Sequence, residues 1–403
     1  MLHKHPNYQD ILNAEKNIRS KIAVTSLRHS YKLSHILGCD LYIKYENENI
    51  TGAFKERGAL NKLLSLTDTE KKQGVIAASA GNHAQGVAYH AGKLKIPSVI
   101  VMPNSTPITK ISTTKSFGAE VILAGDTFDA CLETMQKVQK ERNLVNIHPF
   151  DDPYIIAGQG TIGLEIAQQV QDLDSVIIPI GGGGMISGSV IALKEKNPNL
   201  KIYGVQSRSC PAFYNKYYNI DTTFKATSGL AEGIAVKTPG SLTFDIVKNK
   251  LEDILVIDEE NIEEAISMLL SECKTVAEGA GAAALGAIIA YPERFIEKKT
   301  AIILCGGNID TRLLSSIMTR TLFRQERLFT VQMTVTDRPG FLANVSKIIG
   351  DAEGNITAVR HNRYDLGRPA KDTLLTITIE ARDTEHAKHI KTTLIAQGFN
   401  LLV

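Results

Sequence analysis

The chain has 403 residues, more than one domain usually holds, and its 43% hydrophobic and 22% charged content is that of an ordinary globular protein, which excludes a disordered or fibrous one. A formal net charge of +2 leaves no basic footprint for nucleic acid or an anionic membrane, and Cys39, Cys131, Cys210, Cys273 and Cys305 are scattered without a Cys-x-x-Cys pair, which argues against a disulfide frame or zinc site. The first residues lack the apolar core of a secretory signal, and the longest weakly polar stretch, 279–291, is too short to span a bilayer, so a cytosolic protein is expected.

In chain order, the first informative segment is Thr51-Gly52-Ala53-Phe54-Lys55-Glu56-Arg57-Gly58-Ala59. Small residues let a ligand approach the backbone, and Lys-Glu-Arg opens a helical run. A desolvated primary amine there would be a carbonyl nucleophile, so Lys55 is a candidate Schiff-base lysine, although a lone lysine is ordinarily a solvated charge. Residues 75–78 read as a strand and 82–93 as the helix after it, with Ser79-Ala80-Gly81-Asn82-His83 at the junction. Free N–H groups at a helix start attract an anion, and Ser79 and Asn82 add donors suited to a substrate carboxylate; Asn82 as a simple N-cap explains the same residues. His83 reads as a donor at the helix start, not a base. Strand 99–102, helix 108–117 and strand 120–123 follow, and His148 reads as a structural strand-end residue.

Strand 174–180 runs into Gly181-Gly182-Gly183-Gly184 and then a helix near 185–196. Four glycines leave backbone amides open to a phosphate. No register satisfies G-x-G-x-x-G, Gln206 stands where a ribose-binding acid would, and no Gly-Lys-Ser/Thr follows, so a small monophosphate suits the run better than a dinucleotide. Residues 202–205 and 300–304 are further strands, and the acidic run 259–264 reads as the first turn and solvated face of a helix. Leu304-Cys305-Gly306-Gly307-Asn308 places a thiol after a strand, where it can hydrogen-bond a heteroaromatic nitrogen or simply fill a tight turn. Alternating apolar strands and helices predict parallel sheets covered on both faces, with ligands at the carboxyl ends of strands. Two α/β lobes are expected, the smaller over about 49–152, with the site between them.

Past Arg324 the rhythm changes to strand 328–335, a turn at Asp337-Arg338-Pro339-Gly340, helix 341–349, strands 355–363 and 373–380, helix 384–397 and a last strand at 400–403. This is a β-α-β-β-α-β, ferredoxin-like split in about 75 residues. The expected division is therefore 1–324 and 328–403.

Taken together and in this order, the Lys55, Ser79–His83, glycine and Cys305 motifs closely resemble the tryptophan-synthase-β (fold type II) family of pyridoxal-phosphate enzymes, and within it the serine/threonine dehydratases of the threonine ammonia-lyase group. The resemblance covers nearly the whole chain. It implies that Phe54 packs beside the cofactor ring, that Lys55 is the Schiff-base lysine and proton acceptor, and that Asn82 bonds the ring's 3-oxygen. It further implies that Ser79, Ala80, Gly81, Asn82 and His83 receive the substrate carboxylate, that Gly181, Gly182, Gly183 and Gly184 bind the phosphate, that Cys305 faces the pyridine nitrogen, and that Glu278 is an acid near the ring. Read alone, Glu278 is equally a helix-start acid. The C-terminal segment resembles ACT-type amino-acid-binding domains, with Asp337, Arg338, Pro339 and Gly340 at the effector turn and a branched-chain amino acid as effector. A dimer or tetramer is implied as well.

Departures matter as much as matches. Ala80 stands where the similar serine racemases carry a second serine that serves the opposite face of the substrate, so racemisation should be poor. Residues 206–212 lack the carboxylates with which those racemases hold a divalent cation, so no such metal is expected. The alternatives are a racemase, a β-replacement enzyme of the same fold, or a non-catalytic amino-acid sensor, against which the retained Lys55 argues.

Overall fold

The structure, a computed structural model, describes residues 5–221, 229–363, 369 and 371–402; Val403, assigned to the last strand from sequence, lies outside them. The chain divides into two compact units, residues 1–309 and 310–403.

In the first unit, β1 (Leu27–His29), β2 (Asp40–Tyr45), β7 (Ser175–Pro179), β8 (Lys201–Ser207), β9 (Asp253–Ile257) and β10 (Lys299–Leu304) form a six-stranded sheet, order β1-β2-β10-β7-β8-β9. It is parallel except for the antiparallel edge pair β1 and β2. The strands β3 (Val75–Ala78), β4 (Ser98–Met102), β5 (Glu120–Leu123) and β6 (Val145–Asn146) make a separate four-stranded parallel sheet, order β5-β4-β3-β6. All four of its strands fall within 49–152, the span expected for the smaller lobe.

Successive residues of a strand point to opposite faces, and both faces of the small sheet are covered. Val75, Ala77, Ile100 and Met102 enter one apolar cluster, while Ile76, Ala78, Val99 and Val101 enter another. That is why β3 and β4 carry no polar alternation. Truncating a fully buried residue such as Ile76 to Ala would cost about 2–5 kcal/mol. The sequence reading had not named β1, β2 or β9.

Helix Lys55–Leu64 packs on helix Pro153–Gln169 at close range: a Cβ added to Gly158 would lie 2.7 Å from the Arg57 carbonyl oxygen and the Gly58 Cα. This contact seats the start of the Lys55 helix against the long helix that follows β6.

The second unit begins with helix Thr311–Arg324, which the sequence reading had grouped with the first. Only a short turn separates that helix from β11 (Leu328–Thr336), so it travels with the sheet it enters. Helix Phe341–Asp351, β12 (Asn355–Asn362), β13 (Asp372–Glu380), helix Thr384–Ala396 and β14 (Leu401–Leu402) follow. The sheet is antiparallel, order β12-β13-β11-β14, the β-α-β-β-α-β arrangement of a ferredoxin-like split. Its strands alternate, Phe329, Val331, Met333 and Val335 turning into the core and the residues between them outward, because helices cover one face only. Ahead of helix Phe341–Asp351, Gly340 takes a left-handed φ of +84°, and the Asp337 carboxylate accepts from Arg363 Nε at 2.8 Å. Among the described residues, no helix is long and apolar enough to cross a membrane.

Candidate active site

Lys55 is the first residue of its helix. An antiparallel bridge between Ala53 and Gly306, with Phe54 N donating to the Cys305 carbonyl at 3.1 Å, ties this turn to the end of β10. The Lys55 amine donates to the Pro149 carbonyl at 2.7 Å, in the segment after β6, and lies 5.2 Å from the centre of the Phe54 ring. Among the described residues it has no carboxylate partner. Burial pulls its pKa down to about 8, slightly opposed by the Cys305 thiol, so a neutral amine is accessible near neutral pH.

The residue after Pro149 shapes a second feature. A Cβ on Gly182 would collide with the Phe150 ring, and one on Gly184 would meet Phe150 at 3.0 Å. Gly183 has a φ of +98° and caps helix Gly184–Lys196 without a side-chain hydrogen bond. The run is thus bare backbone at the carboxyl end of β7 and the amino end of a helix, fit for a phosphate dianion. Pro149 and Phe150 are adjacent, so the amine and the glycine cradle share one strip of chain.

The third group gathers around Cys305 and Glu278. Cys305 is 3% exposed and donates to the Ala280 carbonyl at 3.3 Å; burial, reinforced by the negative charge of Glu278, pushes its pKa well up, so it stays a neutral thiol. Glu278 precedes helix Gly279–Ala290 without a side-chain capping bond, and burial raises its pKa, opposed by the Asn82 amide. Asn82 Nδ2 donates to Glu278 Oε1 at 2.6 Å and its Oδ1 accepts from Asn308 Nδ2 at 2.8 Å. Asn82 is therefore no N-cap. The cap of helix Asn82–Lys93 is Gly81, with no side-chain bond, and open space lies over it. Ser79 Oγ turns back to accept from Gly81 N at 3.2 Å.

His83 departs from the sequence reading. Its Nε2 sits 2.8 Å from the Ile147 carbonyl, which must accept, so the proton belongs on Nε2 and the buried, unpartnered Nδ1 cannot donate to an anion. Burial first, and the Lys55 charge second, drop its pKa to about 3. His148 Nδ1 accepts from the amides of Phe150 and Asp151 at 3.3 and 2.8 Å, the turn that presents Pro149 and Phe150. The acidic run at 259–264 is only partly solvated: Glu259 accepts from Leu230 N at 2.6 Å and Ser207 Oγ at 2.8 Å, and Glu263 is 8% exposed.

No motif announces the support beneath the Lys55 helix. Arg57, fully buried, is bracketed by Glu46 at 2.7 Å and Glu165 at 2.7 Å, and buried Lys44 meets Glu165 at 2.6 Å. Charged residues as far as 121 positions apart carry no local pattern, so only contact reveals them. A cavity of about 370 Å³ against edge strand β9 holds none of these groups, and its Arg208 and Arg294 are already paired with Asp258 and Asp253.

The comparisons with known proteins agree with this set of groups. Residues 18–306 match the model of the pyridoxal-phosphate dependent enzyme family. The chain is 40% identical over 396 residues to an L-threonine ammonia-lyase of Thermotoga maritima, an alignment covering 98% of each. The solved processed form of threonine deaminase isoform 2 from Solanum lycopersicum superposes with a TM-score of 0.74 at 34% identity, over 77% of this chain and 86% of that one. Maize serine racemase gives 0.73 at 31%, over 79% and 99%.

Proposed function

This chain belongs to the pyridoxal-phosphate dependent enzyme family, and from that premise we propose that it eliminates water from L-threonine, giving 2-oxobutanoate and ammonia, and from L-serine, giving pyruvate and ammonia. The observation that carries the reading is the amine of the half-buried Lys55, without a carboxylate partner among the described residues and at a pKa of about 8, on the same strip of chain as the bare glycine cradle. The similarity to L-threonine ammonia-lyase over 98% of both chains selects the reaction within the family.

Bound pyridoxal phosphate supplies an aldehyde that condenses with amines and a ring that draws electrons from the substrate Cα. Residues 181–184 would hold the phosphate, Phe54 would lie beside the ring, Asn82 would bond its 3-oxygen and Cys305 would face its nitrogen. Ser79 to His83 form the turn that would receive the substrate carboxylate, with open space over Gly81 to admit it. Lys55 Nζ, steered by the Pro149 carbonyl, takes the Cα proton, a transfer that needs the neutral amine its burial makes accessible. Cys305 remains protonated and neutral, so it cannot hold a proton on a ring nitrogen as a carboxylate would. Electron withdrawal is then modest, which favours prompt departure of the β-hydroxyl over slower side reactions. The enamine released hydrolyses in water to the keto acid and ammonia.

Keto-acid release from L-threonine and L-serine by wild type and Lys55→Ala tests the assignment; a variant as active as wild type would sink it. Similarity to a serine racemase keeps a second activity in view. Ala80 puts a methyl where that chemistry needs a proton donor, so Ala80→Ser is expected to add measurable D-serine by chiral chromatography, and its absence would deny that position the role.

The second unit is assigned as an ACT-type regulatory module that binds a branched-chain amino acid at the turn Asp337-Arg338-Pro339-Gly340, within a cytoplasmic dimer or tetramer. The antiparallel β12-β13-β11-β14 order and the left-handed Gly340 at the helix entry support the reading. Regulation requires an effector that favours one state over another. Isoleucine and valine titrations of the full-length enzyme, by calorimetry and threonine kinetics, are the check, with light scattering for assembly. Indifference to every proteinogenic amino acid would leave a structural module.

A further inference from the structure

Thr243 spends every polar group it has on the architecture around the glycine cradle. It is fully buried, and its hydroxyl donates to the Gly182 carbonyl at 2.6 Å, with the Gly240 carbonyl more distant at 3.2 Å. Gly240 N donates to the same Gly182 carbonyl at 3.2 Å. The Thr243 carbonyl accepts from Ser187 Oγ at 2.9 Å, a buried hydroxyl on helix Gly184–Lys196. Its amide donates to Asp151 Oδ1 at 3.0 Å, while Asp151 Oδ2 accepts from the Ser241 amide and hydroxyl at 3.1 and 3.2 Å. Asp151 lies just past Pro149 and Phe150, the residues that hold the Lys55 amine and floor the glycines.

We propose that Thr243, anchored by Asp151, is a positioning residue for the cofactor phosphate, because its hydroxyl fixes the Gly182 carbonyl and thereby aims the Gly183 N–H. Among the described residues every peptide bond is trans, so carbonyl and N–H of the Gly182–Gly183 unit point in opposite directions. Two donors hold the carbonyl toward the loop 240–243, and the Gly183 amide must face away from it. Glycine at both positions gives the peptide no side chain to fix its plane, and without an outside bond the unit would be free to rotate. A preset donor costs no ordering when the anion arrives. Neither Thr243 nor Asp151 need touch the ligand.

This inference rests on the cofactor reading, and its test separates the two. Pyridoxal phosphate, and pyridoxal lacking the phosphate, are titrated by absorbance into the cofactor-stripped full-length protein, as wild type, Thr243→Val, Thr243→Ser and Asp151→Asn. Thr243→Val, similar in shape but without the hydroxyl, is expected to weaken pyridoxal phosphate about tenfold. It should leave pyridoxal unchanged. Thr243→Ser, which keeps the hydroxyl, should stay close to wild type. Asp151→Asn retains one acceptor oxygen and should show a smaller loss, again confined to the phosphorylated ligand; it decides the matter if Thr243→Val does not fold. Unchanged pyridoxal phosphate affinity in the variant that folds, or equal weakening of both ligands, overturns the proposal. A wild-type chain that captures neither aldehyde overturns the cofactor reading beneath it.

Discussion

Lys44 carries its ammonium into a site closed to solvent and meets Glu165 at 2.6 Å, the Thr25 carbonyl at 2.8 Å and Gln169 at 2.9 Å, whereas among the described residues Lys55, further along the same unit, hydrogen-bonds the Pro149 carbonyl alone. Burial lowers the pKa of both amines. Around Lys44, Glu165 and Glu46 oppose the shift; burial would raise Glu165 in turn, but Arg57 and Lys44 hold it down at about 2, so the pair is ionised. Lys55 has no such counterweight and settles at about 8. The partners set the two amines apart: a carboxylate fixes the charge and makes the residue structural, while a neutral carbonyl orients the amine and leaves its proton loose.

The widest separation between the two should appear on truncation. Lys55→Ala is expected to abolish keto-acid release from threonine while its melting temperature stays at or above wild type, since a buried amine without a counter-ion is removed. Lys44→Met strands Glu165 beside one fewer cation and should cost about 3–5 kcal/mol in urea unfolding while the folded fraction still binds pyridoxal phosphate. A Lys44→Met protein of full stability would break the comparison.

Next in size is the pH dependence of Lys55. Its folded pKa of about 8 lies below the unfolded value of 10.5, so the fold binds fewer protons across that window. The cost of burying the ammonium is fully present below about pH 8 and is relieved as pH rises toward 10.5. Capture of pyridoxal phosphate by the stripped enzyme should accelerate as pH climbs through about 8 and then flatten, read by stopped-flow absorbance. A rise that continues to the ordinary lysine range would place the amine in water. His83, at about 3, should add no inflection near neutrality.

The smallest effect is at the acid end. Glu165 has a folded pKa of about 2 against 4.5 unfolded, so its stabilisation is complete above 4.5 and fades as pH falls toward 2. Glu165→Gln should be less stable than wild type at neutral pH, and its stability should fall less steeply across that window, by chemical denaturation at a series of pH values. Parallel slopes would mean the carboxylate is not ionised in the fold.

Much of this was legible before any coordinates, for reasons of local chemistry. The β3 and β7 strands announce themselves because both faces are buried, and β11 because one is; each pattern spans a handful of consecutive residues. The glycine run and the Lys55 segment are likewise contiguous, so their chemistry can be read without knowing the neighbours. Strand β9 was missed because Asp253 opens it and the acidic helix run follows closely, masking a short apolar segment. The role of Asn82 was ambiguous for another reason: capping and ligand binding use the same side chain, and only its bonds to Asn308 and Glu278 rule out the cap.

By itself, then, the order of residues determined which segments become strands and helices, and it assembled the motif set whose joint presence points to a pyridoxal-phosphate enzyme. The tertiary structure alone decided which amine meets a carboxylate and which a carbonyl, that the His83 imidazole turns inward to Ile147, and that Thr243 reaches Gly182. The physical reason is range. Propensity and periodicity act over a few residues, whereas a pKa or the direction of a hydrogen bond is set by whatever stands within a few ångströms, and Lys44 and Glu165 come together across 121 positions of chain.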